Sequence, residues 1–352
     1  MSRANEVKLL LKRGALLAAA NWPVVVLQFL ADAAFKLLLA VPLITAAFLV
    51  AILVGGSAVD LAAADVHEIV AVLLAAFSEH PGAILAWTAG LLGALAGGTA
   101  LTVLVKGGTV TTLLRADRRT RAIEHRPIRM AVLARASAFE LQAFMSGCGR
   151  LFKRYFILAV LLGVSYAAAA GVYLMVVYAS YQAAATTGVL TAWTFIAAMV
   201  SGALVLVVTV VNLLYLLMQI VVAADDVPLA VAARRVMRFL QANAAIVSLL
   251  FVTLLVAVTL ATAASILATA GLGFIAFIPI LGLTIFWLQL AAWGARALLF
   301  QYLGLTALLA YAHLYLRTAG ERPSERARDT PRAGEQPIAA GAEQAGKTEV
   351  GL

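Results

Sequence analysis

Asp32 and Lys36 stand four residues apart inside ADAAFKLLLAVPLITAAFLVAILV, a run otherwise apolar apart from one threonine. At that spacing a carboxylate and an ammonium share one helix face and partly neutralise each other. Within hydrocarbon such groups serve as proton or ion relays, the plainer alternative being a structural pair near the cytoplasmic interface. Asn212 and Gln219, two turns apart in VVNLLYLLMQIVV, would line a polar path or hydrogen-bond between helices. Arg296, in LQLAAWGARALLFQYL, has no carboxylate within a turn on either side. It is expected to snorkel to the outer headgroups or to meet an acidic or phosphate group there, with Asp65 and Glu68 as candidate protein partners.

Other chemistry is poorly supplied. HEIVA, at 67 to 71, lacks the second histidine that a zinc-protease helix needs, so no metal site is expected from Asp65, His67, Glu68, Glu79 and His80. Ser57 to Asp60 reads instead as a capping box opening an interfacial helix over 58 to 78. KGGT at 106 to 109 places its lysine before the glycines, the reverse of a phosphate loop. His125 lies in a basic loop and His313 near an inner helix end, so no nucleophile, base and orienting acid can be assembled. The single cysteine, Cys148, excludes an internal disulfide and reads as a small packing residue. No cofactor and no enzymatic activity are expected.

The elements that must position these groups follow from composition. Hydrophobic residues make up 64% of the 352 and charged residues only 12%, with a mean hydropathy of +0.99, far beyond what a water-soluble domain carries. The apolar runs are rich in alanine, leucine and valine and lack period-2 alternation, so they predict helices rather than a membrane barrel. The fold class is therefore all-α: a polytopic helical membrane protein with about six spans. These are predicted over 24–55, 82–105, 156–177, 192–221, 244–268 and 296–316. Residues 271 to 294 read as a re-entrant or outer-interface segment, with six against seven spans left open there. The single domain runs from 1 to 317, and the polar stretch 318–352 reads as a disordered cytoplasmic tail.

Orientation comes from the charges. All but two of the 26 lysines and arginines fall in residues 1–21, 106–154, 225–243 and 317–352. The connections 56–81 and 178–191 hold none, so the basic clusters are assigned to the cytoplasm together with both termini. The net charge of +9 thus points to anionic lipid headgroups as partners, not to nucleic acid, since arginine in 106–136 has no aromatic interleaving. Span two carries Ala86, Gly90, Gly93 and Gly97, a small-residue face suited to close approach of another helix, within the chain or in a homo-oligomer or membrane complex.

Each outward-going span is entered from a basic, half-apolar stretch. In SAFELQAFMSGCGRLFKRYF, a helical wheel puts Leu141, Phe144, Met145, Cys148, Leu151 and Phe152 on one arc and Arg150, Lys153 and Arg154 on the other. Ser137 and Glu140 form a candidate capping box there. In DDVPLAVAARRVMRFLQAN, Leu229, Val236, Phe239 and Leu240 oppose Arg234, Arg235 and Arg238. A fainter copy occupies 5 to 21. Such helices suit the headgroup boundary, and their starts at 5, 137 and 225 suggest three quasi-repeats of surface helix, span out and span back.

These two stretches, with the terminal AYAHLYLR, resemble bacterial polytopic proteins related to the membrane domain of glycerophosphoryl diester phosphodiesterases, over residues 137–317. The resemblance implies an inner-membrane helical bundle with interfacial helices. No connection here is large enough for those enzymes' soluble catalytic barrel, so the phosphodiesterase activity does not carry over. The function expected is non-enzymatic organisation of lipid or of a membrane complex through the basic surface helices. The alternative is a transporter or lipid-handling permease with a polar path between helical hairpins.

Overall fold

The computed structural model describes residues 2–54, 78–79, 81–120, 123–124, 130–137, 139–187, 190–276 and 279–329. Among them all regular structure is helical: α1 Arg3–Ala20, α2 Trp22–Val54, α3 Pro81–Arg119, α4 Met130–Ala136, α5 Leu141–Thr187, α6 Leu190–Asp225, α7 Leu229–Ala276 and α8 Pro279–Asp329. Six of these, α2, α3 and α5 to α8, are long and apolar enough to cross a membrane, and they fall where the six spans were expected. The segment 58–78, apart from Ser78, lies outside the described residues, as do His80, His125 and 330–352.

Helix ends follow ordinary signals. Ser2 caps α1, its hydroxyl accepting from the Asn5 N–H at 3.4 Å. Proline opens α3 and α8, where its missing N–H costs nothing. Asp226 ends α6 with φ of 53°, a left-handed turn that aspartate tolerates better than most side chains. Asn243 interrupts α7 with φ of −125° and ψ of 22°, just before the predicted start of span five at 244.

Three helical hairpins result, α2 with α3, α5 with α6 and α7 with α8. Antiparallel registers are set by polar contacts. Thr109 Oγ1 donates to Gln28 Oε1 at 3.2 Å and Trp87 Nε1 to the Pro42 carbonyl at 2.7 Å in the first. Tyr155 donates to the Gln219 carbonyl at 2.8 Å, while Tyr173 and Ser201 pair at 3.1 Å in the second.

Two zones differ along these hairpins. At the inner end, where α1 and the ion pairs gather, Leu17, Leu113, Leu151, Ile220, Phe239 and Leu309 form a continuous core, and Phe239 meets Tyr315 edge-on at 5.5 Å. In the outer zone the apolar side chains stand exposed: Leu85 is 71% exposed, Met175 75% and Leu267 73%. Only a hydrocarbon solvent accommodates so much uncovered apolar surface.

Three expectations need correction. Residues 271–294 are not a separate re-entrant element: α7 continues to Ala276 and α8 begins at Pro279, so the stretch is the two arms of one hairpin. Residues 141–154 are not a separate surface helix but the first turns of the 47-residue α5, because no glycine or proline between Arg150 and Phe156 interrupts the hydrogen-bond ladder. The Glu140 carboxylate does not cap that helix; Arg115 and Arg119 take it at 2.8 and 3.2 Å.

Within the chain, and among the described residues, the small-residue face of α3 at Gly90, Gly93 and Gly97 is not taken by another helix. A Cβ at Gly90, Gly93 or Gly97 would meet nothing within 4 Å, and Gly90 and Gly93 border an open apolar groove of about 590 Å³ between α2 and α3. Close packing is made instead further inward. A Cβ at Gly107 would stand 3.0 Å from the Gly147 carbonyl, and one at Gly108 2.7 Å from Cys148 Sγ. KGGT and SGCG are thus the two sides of the α3–α5 crossing.

Candidate functional site

Polar side chains concentrate at two levels. The deeper is an ionic node joining α1, α3 and α8. Arg13, 4% exposed, donates through Nε to Asp117 Oδ1 at 2.7 Å and through Nη1 to Glu124 Oε2 at 2.9 Å, and Nη2 reaches the carbonyls of Asp117 and Thr120. Asp117 is engaged on its other oxygen by His313 Nδ1 at 3.1 Å. Burial weakens the Arg13 charge, but Asp117 and Glu124 outweigh it and raise its pKa. Beside the node Lys12 donates to the Glu124 carbonyl at 2.6 Å, and Glu6 pairs with Arg317 at 3.1 Å along a cleft of about 290 Å³.

This node escaped sequence reasoning, which counted Arg13 as one of a basic surface cluster. The available signal was its place among Val7, Leu10, Gly14 and Leu17, the buried face of α1. Gly14 brings that face against α8, since a Cβ there would stand 2.6 Å from the Thr306 carbonyl.

The second level lies where the charged inner zone meets the apolar spans. Lys36 pairs with Asp32 at 2.7 Å on α2. Lys106 on α3 also feels the Asp32 charge and lies 5.0 Å from the centroid of the Tyr215 ring on α6. Gln219, one turn from Tyr215, is fully buried, lies beside the Tyr215 hydroxyl and makes no side-chain hydrogen bond of good geometry. Asn212 Oδ1 accepts from Tyr166 at 2.5 Å. Asp32 and Lys36 on α2, Lys106 on α3 and Tyr215 with Gln219 on α6 are thus linked pair by pair, while Asn212 meets Tyr166 of α5 two turns from Gln219.

Arg296 stands apart from it. The guanidinium is exposed and lies 5.8 Å from the Phe300 ring centroid. Counting 1.5 Å per helical residue from Pro279 puts it roughly 26 Å inward along α8.

The basic faces of 141–154 and 229–243 divide. Arg150, Lys153, Arg234 and Arg238 are exposed. Arg154 pairs with Asp226 at 2.5 Å, and Arg235 pairs with Asp225, which also accepts from Tyr315 at 2.5 Å. Those two arginines pin the turn between α6 and α7. The apolar arc divides as well: Phe144, Cys148 and Leu151 are buried against protein, while Leu141 and Met145 remain exposed. Among the described residues no group of three His, Cys, Asp or Glu side chains is placed to hold a metal ion.

What fold and site define is a multi-pass helical protein with a charged, packed inner end. Compared with protein-family models, curated proteins and solved structures, the chain finds no match.

Proposed function

We propose that this chain is a bacterial inner-membrane protein, both termini cytoplasmic, that organises lipid or a membrane complex without catalysis, its inner zone lying at the cytoplasmic leaflet. The observation that carries this is the exposed set Arg150, Lys153, Arg234 and Arg238 on the inner ends of α5 and α7, with Leu141, Met145 and Met237 exposed beside it. Cations flanked by apolar side chains at the end of a span suit anionic headgroups, each contributing about 1 kcal/mol near such a surface. With it goes the proposal that residues 137–317 resemble the membrane domain of glycerophosphoryl diester phosphodiesterases, which implies the same placement. A permease would draw Arg296 into the polar set around Asp32, and its exposed position beside Phe300 favours the organising role instead.

The test is the lipid shell of the full-length protein in nanodiscs of mixed anionic and zwitterionic lipid. Changing all four exposed residues to glutamine should lower the enrichment of anionic lipid around the protein several-fold while thermal unfolding is unchanged. Equal enrichment in the parent and the fourfold variant would remove the reading.

A further inference from the structure

We infer that Lys106 on α3, together with Lys36 on α2, forms a discrete binding site for the phosphate of one anionic phospholipid beside the Tyr215 ring of α6. This rests on the reading of the chain as a lipid organiser and names a site distinct from its basic rim.

The argument begins with charge balance. Asp32 holds Lys36 at 2.7 Å, and the Thr109–Gln28 hydrogen bond registers α3 against α2 so that Lys106 comes level with Asp32 as a second ammonium near one carboxylate. Among the described residues the other inner-zone carboxylates lie with other cations: Asp117 and Glu124 with Arg13, Glu140 with Arg115 and Arg119, Asp225 with Arg235, Asp226 with Arg154, Glu6 with Arg317. Around Asp32 there is thus one more cation than carboxylate, at a depth where uncompensated charge is costly.

Depth identifies what balances it. From Pro81 to Val105 α3 carries no charge, a distance of roughly 37 Å at 1.5 Å per residue, so Lys106 comes at the inner edge of the hydrocarbon, where lipid phosphates lie. The Lys106 residue is half-buried, with the Tyr215 ring beside its ammonium. Lys36 is exposed, its side chain 67% accessible, leaving the neighbourhood open to a ligand from the membrane. A phosphodiester with one net negative charge neutralises the surplus; a zwitterionic headgroup brings an ammonium of its own and does not.

Native mass spectrometry of the full-length protein, titrated with phosphatidylglycerol or phosphatidylethanolamine, tests the site. The parent protein should hold one phosphatidylglycerol at least tenfold more tightly than phosphatidylethanolamine. Lys106→Met should abolish that preference, Lys106→Arg should retain it, and Asp32→Asn, which frees Lys36, should strengthen it. Unchanged preference in Lys106→Met would overturn the site, as would Lys106→Arg behaving like Lys106→Met. If millimolar inorganic phosphate displaces the bound lipid, the site belongs to a free anion and the lipid assignment falls. The fourfold glutamine variant separates the two ideas: it should weaken the general shell yet keep the single tight lipid, and losing that lipid there but not in Lys106→Met would leave the rim reading standing and this one refuted.

Discussion

The inner and outer zones are built from the same helices by opposite means. In α3, Gly107 and Gly108 are pressed against Gly147 and Cys148, whereas Gly90, Gly93 and Gly97, on the same helix, face open space. In α8, Leu309 is 1% exposed, while Trp293, further toward the outer end, is 65% exposed. Where the surroundings are protein, shape and charge must match residue by residue. Where the surroundings are lipid tails, apolar character suffices, because a hydrocarbon neighbour replaces a side-chain neighbour at little cost.

Substitutions can break that contrast at graded strength. The largest effect belongs to the ionic node: Arg13→Ala leaves Asp117 and Glu124 buried without their cation and should cost about 3–5 kcal/mol in unfolding, measured by thermal or denaturant melting in detergent. A smaller loss of about 2–5 kcal/mol is expected for Leu309→Ala in the core, against less than about 1 kcal/mol for Leu267→Ala in the outer zone. Gly14→Ala forces α1 off the Thr306 carbonyl and should cost about 1–3 kcal/mol, while Gly93→Ala should stay within about 0.5 kcal/mol of the parent. Equal losses for either pair would erase the distinction between zones.

The smallest effect concerns pH. The hydrogen bond from Arg119 and the charge of Arg115 lower the Glu140 pKa. A carboxyl depressed in the folded state stabilises above its ordinary pKa, and that contribution is lost as pH falls through the depressed folded value. The difference in melting temperature between the parent and Glu140→Gln should therefore be present at neutral pH and shrink as pH falls through the carboxylate range. A difference that grew on acidification would contradict the pairing.

Much of the fold was legible in the sequence because it is written locally. Six apolar runs were visible as helices long enough to cross a membrane, and the junction between the basic helix and span five, expected at 243 to 244, coincides with the break at Asn243. The inner site was less legible. Arg13 and Asp117 are more than a hundred positions apart, and nothing in either neighbourhood names the other; a basic residue near a terminus and an aspartate among arginines look like surface charge until α1 is laid across α8. The glycines taught the same lesson in reverse. Spacing showed that Gly90, Gly93 and Gly97 permit close approach, but only the placement of α5 decides which glycines are used, and it crosses α3 further inward, at Gly107. Lys106 was passed over because KGGT was weighed only as a phosphate loop, when its lysine mattered as the last charge before a long apolar run.

The claim beneath both the rim and the Lys106 site is that the packed inner zone stands at one face of the bilayer and the hairpin tips at the other. Single cysteines at Gln241 and Thr186, each introduced singly into a Cys148→Ala chain and probed with a membrane-impermeant maleimide in sealed vesicles of known orientation, test it directly. Both positions are exposed in the structure. Gln241→Cys should react only from the cytoplasmic face and Thr186→Cys only from the opposite face; reaction of both from the same face would contradict the account.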